Sequence, residues 1–203
     1  MKKLFAVAVL ALLVASASIA QKIAKPIHAV GEWCEYQEIN GKRYRQTVTE
    51  VGQDGTFAVL SSSGTVRVYN ADQQLVQRGG NVKYSPAWLG PSFPIKVGEI
   101  KGGGSFSYPH PRKPGVTVNA KTVIKSIVPG RITVPAGTFD AVKVDTVVEY
   151  KLSNGYSNYL EQSVWYSIGQ KRPIKFQSID YGIGRDSKID DSLVRCGGLG
   201  STS

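Results

Sequence analysis

The sequence predicts a mainly β protein whose mature part is a single, mostly antiparallel domain. Three observations predict this fold class. Turn-forming dipeptides recur along the chain, apolar and polar residues alternate with a period of two between them, and no window shows an apolar helical period with caps. The first residues follow a different pattern, that of an export signal.

The N-terminal twenty residues have the three parts of a cleavable signal peptide. Lys2 and Lys3 form a positive region, and the apolar run 4–14 follows it. Ser18 and Ala20 occupy the −3 and −1 positions, where signal peptidase needs small side chains. The run is shorter than the roughly 20 apolar residues that span a bilayer. A buried N-terminal helix is the alternative interpretation.

Cleavage of a signal peptide over 1–20 leaves a β domain over 21–195 and a Gly/Ser-rich tail over 196–203. The domain is long enough for one hydrophobic core and short for two. The whole chain carries a formal net charge of +10. Such a charge suits anionic partners, but the basic residues are scattered, which favours a solvated basic surface over a dedicated anion site.

Two cysteines, Cys34 and Cys196, lie near opposite ends of the mature chain. In an oxidising compartment an even number of cysteines predicts one disulfide, which would tie the first strand to the tail. Two free thiols are the alternative. No His or Cys stands at ligand spacing beside either residue, so no metal site is predicted.

Four turn signals divide the strands of the domain. The first three follow one another closely and describe a meander, and the fourth joins two longer strands; they are Asn40-Gly41, Asp54-Gly55, Ser63-Gly64 and Asn154-Gly155. By contrast, the Pro- and Gly-rich region 84–114 reads as a long irregular connection with at most one strand.

The longest predicted strand, 142–152, has two distinct faces. One face is largely apolar and the other mostly charged, so one side of the sheet is expected to be buried and the other hydrated. The apolar face consists of Val142, Val144, Thr146, Val148 and Tyr150. The stretch 116–128 alternates in the same way.

Residues with catalytic chemistry are sparse. The two histidines, His28 and His110, lie in predicted loops, have no patterned nucleophile beside them, and are expected at the surface. Gly102-Gly103-Gly104-Ser105 lacks the Gly-Lys-Ser/Thr ending of a phosphate-binding loop and reads as a turn. Asp190-Asp191 reads as a solvated feature of the tail. The sequence therefore predicts no catalytic residues, no metal and no cofactor, and export makes a nucleic-acid partner improbable.

One ordered set of motifs stands out. Phe93-Pro94 precedes Gly98, the corner Val134-Pro135-Ala136-Gly137-Thr138-Phe139 opens the long strand, and Trp165-Tyr166 closes the return strand before Gly169. This order resembles the DUF3108-like family of uncharacterised exported bacterial proteins, over residues 93–177. The chain departs from the family pattern at 170–173, where Gln-Lys-Arg-Pro intervenes before Ile174-Lys175.

The resemblance implies a strongly curved antiparallel sheet, similar to the half-open β-barrels of periplasmic lipoprotein carriers. It implies no known activity and no catalytic residues. The fold prediction is therefore a single-domain curved sheet or half-open barrel that follows the signal peptide.

The functional expectation is a non-enzymatic periplasmic protein, or alternatively a secreted one, whose concave apolar face binds a hydrophobic or amphipathic ligand or an envelope component. The residues expected to line that face are Val142, Val144, Val148, Tyr150, Trp165 and Phe176. A closed core filled by the same residues is the competing interpretation. A structural or assembly protein is the second hypothesis, and a hydrolase that uses His110 is the third.

Overall fold

The computed structural model describes residues 22–181 and 187–198. The predicted signal peptide lies outside these ranges. Within them the regular structure is entirely β. The strands are β1 (Lys22–Ile23), β2 (Trp33–Gln37), β3 (Arg43–Val51), β4 (Phe57–Ser61), β5 (Val66–Tyr69), β6 (Leu75–Arg78), β7 (Val82–Trp88), β8 (Ile95–Lys96), β9 (Gly104–Pro109), β10 (Thr117–Val134), β11 (Gly137–Leu152), β12 (Ser157–Ser167), β13 (Pro173–Asp180) and β14 (Ser187–Gly197).

Twelve of these strands form one closed antiparallel barrel in the order β10-β11-β12-β13-β14-β2-β3-β4-β5-β6-β7-β9. Strand β9 pairs with β10 and completes the ring. Strands β1 and β8 form a separate two-stranded sheet. The predicted mainly β, single-domain antiparallel fold is confirmed, and the curvature of its sheet continues until the ring closes.

The predicted turns lie between the strands that they were expected to join. Asn40-Gly41 connects β2 to β3, Asp54-Gly55 connects β3 to β4, Ser63-Gly64 connects β4 to β5, and Asn154-Gly155 connects β11 to β12. These four glycines have a positive φ, between 81° and 94°. Tight hairpin connections need this conformation, and glycine adopts it without steric cost.

Strands β10 and β11 form the longest hairpin of the barrel. Their pairing runs from Val118 opposite Leu152 to Val134 opposite Gly137, with a bulge at Lys125. The predicted Pro135-containing corner is the tip of this hairpin. The tip reaches β14, where the Ala136 N–H donates a hydrogen bond of 3.0 Å to the carbonyl oxygen of Leu193. The tip of the hairpin therefore packs against β14.

The region 84–114 contains more regular structure than the sequence predicts. It holds most of β7 and the whole of β8 and β9, instead of at most one strand. The pairing between β7 and β9 is limited to Ser85 opposite Ser107. Pro86, which has no N–H to donate, follows directly, so the ladder cannot continue as a regular one. Short, proline-interrupted strands of this kind give only a weak alternation signal.

The tail is also more structured than expected. Asp190 and Asp191 lie inside β14 and are not solvated tail residues: Lys175 forms an ion pair of 2.9 Å with Asp190, and the Tyr44 hydroxyl donates to Asp191 at 2.7 Å. Cys196 is also part of β14. Residues 199–203 lie outside the described ranges.

Three of the four clusters of buried side chains in the described residues hold most of the clustered core. The first surrounds Val142 and Val144 of β11 and includes Ile23 and Ile95 from the small sheet. The second lies beneath the β10–β11 tip and includes Leu193. The third lies at the β7–β9 side, with several aromatic rings; its buried members are Val82, Tyr84, Phe106, Ala120 and Val148.

Candidate functional site

An apolar cavity of about 250 Å³ lies inside the barrel next to β2, β3, β4 and β5. Its wall on that side consists of inward-facing residues of the four strands. The opposite wall comes from the segment around Phe93 and from the end of β12. The apolar and aromatic side chains that line it include Tyr36, Val48, Phe57, Val59, Tyr69, Phe93 and Tyr166.

Strand register places these side chains on one face. Val48 of β3 lies opposite Val59 of β4, and Phe57 of β4 lies opposite Tyr69 of β5. Residues directly opposite each other on paired strands project from the same side of the sheet. The rings of Phe57 and Tyr69 stack with centroids 4.9 Å apart, which gives the cavity a flat aromatic wall.

The barrel is hollow here because its packing is uneven. Within residues 22–181 and 187–198, the core cluster at this wall contains three buried residues, Val48, Phe57 and Val59. Across the lumen, the aliphatic cluster around Val142 packs against the rings of Phe93 and Tyr166. Those two rings meet edge to face at 6.1 Å, and the remaining space is the cavity.

Charged residues stand at the edge of this apolar space. Glu32, with 5% of its surface exposed, accepts a hydrogen bond from Nη2 of the Arg172 guanidinium. His28 lies on the other side of Glu32, with Nδ1 3.6 Å from the carboxylate, and its Nε2 is 2.9 Å from the side-chain oxygen of Gln73. The His28 ring also stacks on Phe57 at 4.1 Å. His28 therefore contacts both the aromatic wall, through Phe57, and the charged group, through Glu32.

The electrostatics of Glu32 depend on these partners. Burial alone would raise the pKa of the Glu32 carboxyl, but the polar contact with His28 and the charge and hydrogen bond of Arg172 outweigh it and lower the pKa from 4.5 to about 2. Glu32 is therefore a carboxylate at any ordinary pH. A buried carboxylate next to an apolar space is costly unless it is paired, and Arg172 provides the pairing.

A disulfide forms part of the same wall. Cys34 of β2 lies in register opposite Cys196 of β14 and is bonded to it, as the sequence predicts. Arg172 Nη1 lies 2.9 Å from Cys34 Sγ. The bond joins the first and last strands of the barrel across a separation of 162 residues.

The six residues expected to line a ligand site do not lie together at this cavity. Val142 and Val144 are fully buried in the cluster that backs it, and Val148 is buried in the aromatic cluster at β7–β9. Phe176 is half-buried in β13, opposite Val164 and Asp191. Their proposed ligand contact stays a prediction, and the cavity uses other residues.

Tyr150 and Trp165 have polar surroundings. The Tyr150 hydroxyl donates to Asp180 at 2.9 Å, and Tyr150 borders a second, wider depression of about 900 Å³ along β10, β11 and β12. The Lys143 ammonium lies 5.2 Å from the centre of the Trp165 ring, and Trp165 also packs against the cluster beneath the hairpin tip.

The two histidines differ from each other. His28 is not the surface residue that its loop position predicts, because its ring is held between Glu32, Gln73 and Phe57. These partners orient the ring, but none is a nucleophile. His110 accepts a hydrogen bond of 3.1 Å from the N–H of Arg112, a local turn contact.

Among the described residues, no group of three or more His, Cys, Asp or Glu side chains is placed to hold a metal ion. Nor does any helix in residues 22–181 and 187–198 have the length and apolarity needed to cross a membrane.

Solved structures share this fold. One is a predicted lipoprotein from Parabacteroides distasonis, with a TM-score of 0.54 and 13% identity over 88% of this chain and 99% of that one. The hypothetical lipoprotein YmcC from Escherichia coli has a TM-score of 0.51 and 9% identity over 83% of this chain and 86% of that one. A predicted exported protein from Bacteroides fragilis, described as having a YmcC-like fold, has a TM-score of 0.50 and 12% identity over 88% of this chain and 99% of that one.

The chain has a YmcC-like fold. At these identities the likeness concerns the fold alone. No protein-family model matches the sequence, and no curated protein matches it either.

The sequence contains only weak signals for the cavity residues that were not predicted. Arg172 lies in the four-residue segment where the chain departs from the DUF3108-like pattern, and Tyr166 belongs to the aromatic pair noted there. Glu32 and His28 precede the first long strand. Nothing in their local sequence indicates that the fold brings them to Arg172.

Proposed function

We propose that this protein is an exported, non-enzymatic carrier or receptor of the cell envelope that binds a small amphipathic ligand inside its barrel. The observation that carries the proposal is the aromatic cavity beside β2–β5, which is bordered by the Glu32–Arg172–His28 group. Apolar cavities with a few polar groups at one side are the usual form of small-molecule sites.

The chemistry of the walls argues for a ligand with an apolar part. Val48, Val59 and Phe57 offer only hydrocarbon surface. Tyr69 and Tyr166 add hydroxyl groups, and burial raises the pKa of both phenols, so both stay neutral at ordinary pH. Such walls suit an acyl chain or an aromatic ring better than a sugar or a nucleotide.

The proposed compartment is the periplasm, with full secretion as the alternative. The N-terminal signal pattern and the disulfide both suit an oxidising, exported environment. Proteins with this fold from three bacteria are described as lipoproteins or as exported, which agrees with the proposal.

A pair of neighbouring substitutions tests the cavity. Val59→Trp places an indole in the space, whereas Leu60→Trp adds the same ring to the outward face of the same strand, at a residue that is 38% exposed. We expect N-phenyl-1-naphthylamine, a neutral fluorescent probe, to bind the wild type and Leu60→Trp alike and to bind Val59→Trp at least about tenfold more weakly.

Circular dichroism and thermal melts establish that each variant is folded. If folded Val59→Trp binds the probe as tightly as the wild type does, the proposal that the cavity is the binding site is wrong. Mass spectrometry of an organic extract of the purified mature protein then identifies the natural occupant.

A second candidate is a structural or assembly protein that docks on an envelope partner near the cavity. Ile27, 94% exposed, and Val30, 56% exposed, flank His28 and provide apolar surface there. Under this alternative, Ile27→Asp abolishes association with the partner while probe binding in the barrel is unchanged. A hydrolase ranks last, because the described partners of His28 and His110 include no nucleophile.

A further inference from the structure

Two arginines lie opposite each other on neighbouring strands of the barrel; Arg67 is half-buried and Arg78 is exposed. Arg67 of β5 is the register partner of Arg78 of β6, and on its other side it is the partner of Val59 of β4. Val59 faces the cavity, and residues directly opposite each other share a face. Tyr69, two positions beyond Arg67 on the same face, also lines the cavity. Arg67 therefore shares a sheet face with the cavity wall, and Arg78 stands next to it, although neither side chain is part of the cavity lining.

Among the described residues, no ion pair and no side-chain hydrogen bond involves Arg67 or Arg78. Other arginines of this barrel are paired: Glu35 attracts Arg43, Arg45 and Arg195. Like charges directly opposite each other destabilise a sheet. Arg67 and Arg78 thus have no ion-pair partner within the part of the chain that the structure describes.

The positive field of the pair reaches the cavity wall. Burial raises the pKa of Tyr69, and the charges of Arg67 and Arg78 oppose that rise. The same two charges act on Tyr84. Asp191 also senses Arg67, but its carboxylate accepts the Tyr44 hydroxyl hydrogen bond and forms no ion pair with either arginine. Because no ion pair within residues 22–181 and 187–198 neutralises the charge of either arginine, both charges are available to attract an anionic ligand.

We propose that Arg67 and Arg78 together bind the anionic head group, a phosphate or carboxylate, of an amphiphile whose apolar tail occupies the cavity. This inference rests on the proposed function and specifies its ligand class. Guanidinium groups present paired N–H donors that match the oxygens of such anions, and charge-assisted hydrogen bonds are stronger than neutral ones.

The test compares two ligands with the same tail. Dodecyl phosphate and dodecanol compete for the barrel against N-phenyl-1-naphthylamine in the wild type and in Arg67→Gln/Arg78→Gln. We expect the double variant to bind dodecyl phosphate at least about tenfold more weakly, because two charge-assisted contacts are lost, and to bind dodecanol within about twofold of the wild type.

Arg43→Gln/Arg131→Gln is the matched control. It removes the same charge from residues whose side chains are 56% and 76% exposed. We expect it to bind dodecyl phosphate like the wild type. Equal weakening by both double variants would show only a general charge effect and would overturn the inference.

The remaining outcomes separate the two proposals. If neither the probe nor dodecanol binds the wild type, the cavity function itself fails. If both bind, and Arg67→Gln/Arg78→Gln binds dodecyl phosphate as tightly as the wild type does, only the assignment of the head group fails. Inorganic phosphate distinguishes a lipid from a free anion: displacement of the probe by phosphate alone as effectively as by dodecyl phosphate would overturn the amphiphile assignment.

Discussion

Arg172 and Glu32 form an ion pair at the edge of the barrel cavity although 140 residues separate them in the chain. Glu32 precedes β2, and Arg172 precedes β13. Their contact therefore exists only when the barrel is closed, since β2 and β13 are both neighbours of β14. The same arginine also touches Cys34 of the disulfide. Arg172 therefore connects the edge of the cavity with the strands that close the barrel.

The first prediction concerns acid stability. Folding lowers the pKa of Glu32 from 4.5 to about 2, because the partners of the carboxylate outweigh its burial. The resulting stabilisation is fully present above about pH 5 and is lost as the pH falls towards 2. We expect Glu32→Gln to lower the free energy of unfolding at pH 7 by about 2–4 kcal/mol, since Arg172 loses its counter-charge.

Urea unfolding between pH 2 and pH 7 measures this effect. The wild type should lose stability over the lower part of that range by roughly 2–3 kcal/mol more than Glu32→Gln. Asp140→Asn is the control, because it removes the partner of Arg131 from a pair whose side chains are both about three-quarters exposed. Exposed pairs contribute about 0–1 kcal/mol, so the control should stay close to the wild type. Parallel pH profiles of wild type and Glu32→Gln would contradict the prediction.

The second prediction concerns the seam between β14 and β2. The Cys34–Cys196 disulfide joins these strands across 162 residues. Closing so long a loop restricts the unfolded chain, so Cys34→Ser/Cys196→Ser should lower the free energy of unfolding by about 2–4 kcal/mol. Dithiothreitol should lower the melting temperature of the wild type and leave the double variant unchanged. An equal response of both proteins would show that the reductant acts elsewhere.

Most of the fold was predictable because its signals are local. Asn40-Gly41 and Asn154-Gly155 each fix a hairpin through the conformation of one glycine, and alternation along β11 separates its buried face from its hydrated face. Cys34 and Cys196 were the only candidates for a disulfide. Each of these inferences needs no knowledge of which distant strands pair.

The cavity was not predictable in the same way. The buried face of β11 is an unambiguous pattern, yet Val142 and Val144 fill the core, and the space opens opposite them. Whether the apolar face of a strand packs against other side chains or lines a cavity depends on the size of the side chains that other strands place opposite it. Here those side chains include Phe57 and Tyr69. The Glu32–Arg172 pair likewise depends on barrel closure, which no local pattern encodes.

The third prediction concerns the turn that supports the cavity segment. Gly102 has a φ of +106°, and a Cβ there would lie 2.7 Å from the backbone nitrogen of Ser92 and would also meet the carbonyl oxygen of Gly90. Gly90 and Pro91 border the cavity. Gly102→Ala should therefore lower the free energy of unfolding by about 2–4 kcal/mol and weaken probe binding.

Gly115→Ala is the matched control for this effect. Gly115 also has a positive φ, +76°, but a Cβ there meets nothing within 4 Å. The control should carry only the conformational cost, about 1 kcal/mol. Equal destabilisation by the two substitutions would show that the close backbone approach at Gly102 is unimportant.

The last prediction concerns alkaline unfolding. Burial raises the pKa of Tyr108 from 10.0 to about 12, with a smaller contribution from Tyr84, and burial raises the pKa of Tyr36 to about 12 as well. A raised pKa means that folding favours the protonated phenol. The stabilisation is thus present below pH 10 and is lost as the pH rises through 12. Absorbance at 295 nm should show late-titrating tyrosines that ionise together with unfolding.

Tyr108→Phe isolates one of these groups, because no side-chain hydrogen bond of the described residues involves its hydroxyl. The variant cannot ionise at this position. Its free energy of unfolding relative to the wild type should therefore rise by up to about 1 kcal/mol between pH 8 and pH 11. Tyr159→Phe, at a residue that is 42% exposed, should follow the wild type across the same range. If Tyr108→Phe follows it too, the phenol of Tyr108 is solvated in the folded barrel, and the aromatic cluster between β7 and β9 is open to water.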